Sequence, residues 1–244
     1  MLVRSIFLTM ALRAGFLVPV VAGAGLAHAE VCDAKFFHNG GVIEIGGSGL
    51  FTVSAKLSFS QVKKTSATVC QAQVKGFAKY ALMGLLSDSS EIDHLLVVNG
   101  IKSSVSSARP SASVDRANFD AQLLGLFGFG APVRTVGQKF AAQSYTLAVG
   151  DPKRGTTPLT VRMGEKTVGA QESIQTAVGK QSCWPVRYAR STDATTAQVQ
   201  GIALPIPSIQ SQVTDWFCPT TNLVMRQDIE HSGQRSVIEV KVLR

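Results

Sequence analysis

From Phe51 to Phe59 every odd position is apolar (Phe51, Val53, Ala55, Leu57, Phe59), while Thr52, Ser54, Lys56, Ser58 and Ser60 fill the even ones. Alternation with period two marks a strand with one buried face, so residues 50–62 are predicted as a strand. Lys63, Lys64 and Thr65 supply a turn, and residues 67–77 follow as a second strand with Cys70, Ala72 and Val74 on one face. The chain ends on the same pattern. Residues 213–242 read as two or three adjoining antiparallel strands, VTDWFCP, NLVMRQDIEH and RSVIEVKVL, with polar turns at residues 219–221 and at Ser232-Gly233. In the last run Ile238, Val240 and Val242 share one face, and Glu239 and Lys241 the other.

Between these anchors the pattern is coarser. Residues 31–49 read as an irregular entry with a short strand at 42–45, residues 78–86 as strand or short helix, and residues 87–90 as a polar break. Asn99-Gly100 joins 91–98 to 101–105 as a hairpin, because this dipeptide accepts the positive φ of a tight loop. After a loop at 106–113, Ser113 caps a predicted helix over residues 114–126, with Phe119, Leu123 and Phe127 on one side. A weak strand at 140–149 leads to a turn at 150–155, and Gly164-Glu165 separates 159–163 from 166–168 as a second hairpin. Residues 170–178 fit no single pattern. Residues 181–190 return to strand, with Trp184, Val186 and Tyr188 opposite Cys183, Arg187 and Ala189, and Pro185 marks an edge or a bulge. A polar loop at 191–196, a strand at 198–204 and a bend at Pro205-Ile206-Pro207 complete the pass. Many strands and one helix predict a mainly β fold: a large curved antiparallel sheet with one main helix packed on its concave face.

Composition adds a compartment. Arg4 and Arg13, an apolar run over residues 14–26 and Ala27-His28-Ala29 match a secretory signal peptide, so residues 1–29 are expected to be removed. That leaves residues 30–244 as a single mainly β domain, with no transmembrane segment after cleavage. Loss of the two arginines lowers the net charge from +8 to +6, and the excess is spread rather than clustered. No basic block alternates with aromatics, so nucleic acid is excluded as a partner. Four cysteines, Cys32, Cys70, Cys183 and Cys218, form an even set in an exported chain, which predicts two disulfides. Three pairings are possible. Cys32 with Cys70 and Cys183 with Cys218 is favoured, because each bridge then closes a loop within one half of the chain.

Candidate chemistry is sparse. No Cys-x-x-Cys or helical His pair suggests a metal, and no G-x-S-x-G elbow, Walker loop or other cofactor motif occurs. His94 and His231 are expected at the surface. The run Gly125–Gly130 lacks the dinucleotide spacing and reads first as a helix end tucked on the sheet. Should it line a ligand cavity instead, Leu123, Phe127 and Phe129 are the lining residues. Asp215 is the most interesting carboxylate; it could hold a polar ligand, but a cross-strand pair with Arg187 or Arg226 is the preferred reading.

Residues 179–243, through GKQSCWPVRYAR, VTDWFCP, NLVMRQDIEHSG and RSVIEVKVL, resemble a group of bacterial envelope proteins of unknown function related to the lipoprotein-carrier (LolA-like) fold. The resemblance implies a bent sheet around a helix with an apolar concave face. The expectation is an exported protein, of the periplasm or secreted, that binds an apolar or lipid-like ligand or an envelope component without catalysis. A structural or assembly protein of the envelope is the alternative, and a hydrolase whose groups converge only in three dimensions comes third.

Overall fold

The structure, a computed structural model, describes residues 31–82, 86–99, 102–107, 133–149, 157–199 and 202–244. Its strands are β1 (Val42–Ser48), β2 (Phe51–Lys64), β3 (Val69–Leu82), β4 (Leu86–Asn99), β5 (Lys102–Ser107), β6 (Lys139–Phe140), β7 (Gln143–Val149), β8 (Thr157–Met163), β9 (Lys166–Val168), β10 (Glu172–Thr176), β11 (Gly179–Thr192), β12 (Thr195–Val199), β13 (Ile202–Ile206), β14 (Ile209–Cys218), β15 (Leu223–His231) and β16 (Gln234–Leu243). Fourteen of them share one antiparallel sheet in the order β5-β4-β3-β2-β1-β16-β15-β14-β11-β8-β7. β9 and β10 attach to β11, β6 attaches to β9, and β12 and β13 form a separate hairpin. The two halves of the chain meet where β1 pairs with β16, closed by reciprocal backbone bonds between Val42 and Arg244 of 2.6 and 3.1 Å.

The alternation at the two anchors becomes the core. Val53, Ala55, Leu57 and Phe59 of β2, Cys70, Ala72 and Val74 of β3, and Ile238 and Val240 of β16 are buried on one face. Antiparallel pairing puts directly opposed residues on the same face, so these rows merge into one apolar cluster running across the sheet from β4 to β7. The predicted fold class needs correction at its helix. The sole helical element among the described residues is a 3-10 turn at Val31–Asp33, and the predicted helix over 114–126 lies outside them. At the N-terminal half the apolar face is covered by the segment after that turn, whose buried Phe36 and Phe37 stand 5.4 and 5.9 Å from the Phe59 ring. Residues 1–29 and the turn at 150–155 also fall outside the described residues.

Several local expectations change for physical reasons. The polar run 87–90 is strand, since Ser87 to Ser90 pair with Ala81 to Ala78 of β3 and satisfy their backbone there. The stretch 198–204 belongs to two strands, β12 and β13, paired from Thr195↔Ile206 to Val199↔Ile202. β8 and β9 do not form a hairpin across Gly164-Glu165; they lie end to end along one edge of β11, β8 against Arg190 to Thr192 and β9 against Val186 and Arg187. The connection stays on that edge because the Gly164 amide donates to the Ala189 carbonyl at 2.8 Å.

Pro185 is accordingly not on an edge strand. β11 is paired with β14 on one side and with β10, β9 and β8 in turn on the other. A strand residue points its N–H and C=O to the same side. The Pro185 carbonyl accepts from the Gly169 amide at 2.7 Å, so the missing N–H faces the seam where β10 gives way to β9, and no ladder bond is lost there. The seam is tight: a Cβ on Gly169 would stand 3.0 Å from Pro185 Cγ and 2.5 Å from an Arg187 guanidinium nitrogen.

Disulfides join Cys32 to Cys70 and Cys183 to Cys218, closing loops of sequence separation 38 and 35. The chain-entropy model assigns about 4 kcal/mol to each loop of that length. Replacing Cys183 and Cys218 together by Ala is expected to lower unfolding free energy by about 2 to 4 kcal/mol, read as a lower urea midpoint, with a steeper slope as the unfolded chain expands.

Candidate functional site

Five polar side chains meet on the core face of the C-terminal half. β11 presents Val186, Tyr188 and Arg190 to that face, and β14 presents Ser211, Val213 and Asp215. The registers Val186↔Asp215↔Gln227↔Ile238 and Tyr188↔Val213↔Ile229↔Ser236 carry the rows across β15 and β16. β9 adds Lys166. Asp215, Gln227 and Lys166 are each 3 % exposed, Tyr188 5 % and Arg190 7 %, so the group is cut off from water.

The carboxylate is its hub. Gln227 Nε2 donates to Asp215 Oδ1 at 2.7 Å and lies 3.5 Å from the Tyr188 hydroxyl, which itself donates to Asp215 Oδ1 at 3.5 Å. Lys166 Nζ sits 4.8 Å from the centre of the Tyr188 ring, within cation–π range. An apolar cluster of Val133, Val168, Trp184, Val186, Phe217 and Val224 flanks the group, apart from the main core cluster.

Burial dominates the electrostatics. It pushes the Asp215 carboxyl above its ordinary range, against the pull of Lys166, the Gln227 hydrogen bond and Arg190. It pushes Lys166 down, with Asp215 pulling it back up, and lowers Arg190, which Tyr188 and Asp215 support. Burial, with the Asp215 charge behind it, holds the Tyr188 phenol well above the usual phenolic range. The cations therefore keep a buried carboxylate tolerable, and the carboxylate keeps buried cations tolerable. Ser211, opposite Arg190, and Ser236 share these rows; the contacts that join the group are those of charge balance and hydrogen bonding.

On the other side of the same strands lies a groove of about 490 Å³. Its lining residues come in threes from four adjacent strands and their flanks: 142–144, 162–164, 189–191 and 210–212. The middle members Gln143, Met163, Arg190 and Ser211 are in register, and Met163, Arg190 and Ser211 bury their side chains in the core. Their neighbours Ser144, Arg162, Ala189, Gln210 and Gln212 are exposed. The groove thus opens to solvent, with backbone as its floor, and Arg190 is the one member of the ionic network that lies in its rows. Small residues, Ala142, Gly164 and Ala189, create the depression and leave its walls mostly carbon. At its rim Arg162 holds Asp193 through two bonds, Nε to Oδ1 at 3.2 Å and Nη2 to Oδ2 at 2.7 Å.

Of the residues singled out from sequence, Asp215 is in the network, but with neither arginine proposed for it. Arg187 and Arg226 point to the other face, where they meet Glu172 at 3.5 Å and Asp228 at 2.8 Å. Asp228 is the better-supported carboxylate: burial opposes it, yet hydrogen bonds from Trp216, Arg226 and Arg235 hold its carboxyl below the ordinary range. His94 is buried on β4, not at the surface. His231 ends β15, with β16, β1, β2 and β3 lying between it and β4, so the two do not share a site. Leu123, Phe127 and Phe129 lie outside the described residues. Among the described residues no group of three His, Cys, Asp or Glu could hold a metal. Lys166, Arg190 and Gln227 were missed by sequence. Their signal is parity: each is polar at a position that shares the buried face with its apolar neighbours, Gln227 among Leu223, Met225 and Ile229 for example.

No protein-family model and no curated protein sequence matches the chain. Solved structures do. The chain is 14 % identical to a "putative exported protein with YmcC-like fold" from Bacteroides fragilis, covering 86 % of this chain and 99 % of that one at a TM-score of 0.54. A "putative lipoprotein" from Parabacteroides distasonis is 16 % identical, with 87 % and 100 % covered and a TM-score of 0.45. The hypothetical lipoprotein YmcC of Escherichia coli is 8 % identical, with 82 % and 83 % covered and a TM-score of 0.33. The first establishes a YmcC-like fold; none of the three is described by the lipoprotein-carrier fold that residues 179–243 suggested.

Replacing Lys166 by Met removes the cation nearest in effect to Asp215. The carboxyl already titrates above its unfolded value, so the folded state holds its proton more tightly than the unfolded chain, and stability falls as pH rises from the ordinary carboxylate range through that raised value. Loss of Lys166 deepens the fall. The variant should be about 3 to 5 kcal/mol less stable than the parent near neutral pH, with a smaller deficit near pH ~4, where the carboxyl is protonated. Urea titrations at both pH values check this; an equal deficit at the two would contradict it.

Proposed function

We propose that the chain is an exported envelope protein that binds an amphipathic, lipid-like ligand or envelope component in the groove over β7, β8, β11 and β14, without transforming it. The observation that carries the reading is the groove itself: about 490 Å³, within the range of roughly 300 to 1,000 Å³ usual for ligand sites, with carbon walls and polar groups at its edges. Two of its strands, β11 and β14, are joined on their core face by the buried Tyr188–Asp215 hydrogen bond. Export is supported by the two disulfides, which persist in oxidising compartments, by the signal-like residues 1–29, and by the exported designation of the Bacteroides protein of like fold. A binding role suits the site better than hydrolysis, since His94 and His231 stand on separate strands, β4 and β15, and neither belongs to the ionic network.

Ala189 is exposed and lines the groove, so Ala189→Trp fills the site without entering the core. A dansyl-labelled fatty acid should bind the parent protein saturably and the variant at least about tenfold more weakly, equivalent to ~1.4 kcal/mol, at an unchanged melting temperature. Absence of saturable binding to the parent, or binding indifferent to the Trp, would remove the basis for the reading.

A further inference from the structure

We infer that the groove recognises a carboxylate-bearing sugar, a uronate-type head group whether free or carried on a lipid; the inference rests on the binding reading above. Three observations lead there. Around the small floor residues Gly164 and Ala189 the exposed side chains are amides and hydroxyls, Ser144, Gln210 and Gln212 among them. Amides and hydroxyls both donate and accept, which suits the hydroxyl rim of a sugar, while carbon walls suit its C–H faces. A plain acyl chain would leave those polar groups facing carbon.

The second observation is the charge. Arg162 reaches the groove from the solvent side, whereas Arg190 turns its side chain to the core face. No carboxylate is among the groove's lining residues, and the Asp193 carboxylate at its rim is already neutralised by Arg162.

The third is Asp193. It occupies the guanidinium fork of Arg162 in two-point fashion, at 3.2 and 2.7 Å, with side chains 48 % and 57 % exposed. That geometry is the one a ligand carboxylate would adopt. An exposed ion pair contributes little to stability, so the ligand can exchange for Asp193 at low cost. Asp193 then acts as an internal competitor that the incoming acid displaces.

Octyl glucuronide, octyl glucoside and free glucuronate, titrated calorimetrically at low salt into the intact mature chain, separate the possibilities. The expected result is tighter binding of the glucuronide than of the glucoside, by about fivefold or more. Arg162→Gln should erase that difference while glucoside binding persists. Asp193→Asn should strengthen glucuronide binding by roughly two- to fivefold, the competitor's share. Measurable binding of free glucuronate assigns recognition to the sugar alone, and its absence beside glucuronide binding assigns the source to a glycolipid. Equal binding of glucuronide and glucoside, or weaker glucuronide binding by Asp193→Asn, overturns the inference and leaves the groove as a general amphiphile site. Failure of every amphiphile to bind would overturn the proposed function as well.

Discussion

The structure depends on β11 having both edges saturated. One edge runs in unbroken register with β14, from Trp184↔Phe217 to Thr192↔Ile209. The other is shared by three short partners, β10, β9 and β8, none of which could fold alone as an edge. Pro185 and Gly169 make the sharing possible. The proline removes a donor where one partner has ended and the next has not begun, and the glycine lets the two backbones approach. Without that seam, Lys166 on β9 would not stand beside Tyr188, and Met163 on β8 would not be opposite Arg190.

Period two then divides the labour of the same strands. Successive side chains leave opposite faces, so Arg190 and Ser211 enter the core while Ala189, Gln210 and Gln212 reach the groove. A slip of one residue between β11 and β14 would move every side chain of one strand to the wrong face. It would place Arg187 toward the core and leave Asp215 without Tyr188. The ionic row therefore penalises the wrong register more heavily than an all-apolar row would. Burying it costs desolvation, offset by pairing, and the result is a single register for β11 and β14, two of the four strands that line the groove.

How much of this was legible follows the same rule. Alternation in β2, β3 and β16 is strict, and their strands and buried faces could be read directly. The terminal strands were legible for the same reason, and the hairpin of β4 and β5 through its Asn99-Gly100 turn dipeptide. What could not be read were pairings set by non-local partners. Gly164-Glu165 looks like a hairpin turn locally and is a crossing point along β11; Ser87 to Ser90 look like a break and are held as strand by β3. The predicted helix over 114–126 lies outside the described residues, and among these the sheet carries no α-helix on its face. For the site, Asp215 stood out as a carboxylate in an apolar strand, but parity was not carried across the ladder. Arg187 and Arg226 sit opposite residues adjacent to Asp215, not opposite Asp215 itself. The groove had no sequence signature at all, because it comes from small residues on four strands brought together by pairing.

The Cys183–Cys218 bridge joins these levels. It ties the first residues of the β11–β14 ladder, at the end next to the seam, while the groove rows Arg190↔Ser211 and Ser191↔Gln210 lie toward the far end. A covalent link beside Trp184↔Phe217 leaves the ladder one register from which to continue, since the residues beyond must pair in sequence. The link restricts the unfolded chain as well, by closing a loop that contains β12 and β13. The separate hairpin of β12 and β13 adds no strand to the main sheet, and it lies inside that loop without altering the register of the strands that bracket it. The bridge needs an oxidising compartment to persist, so the same pair of cysteines that argues for the compartment also holds together β11 and β14, two of the strands on which the groove is built.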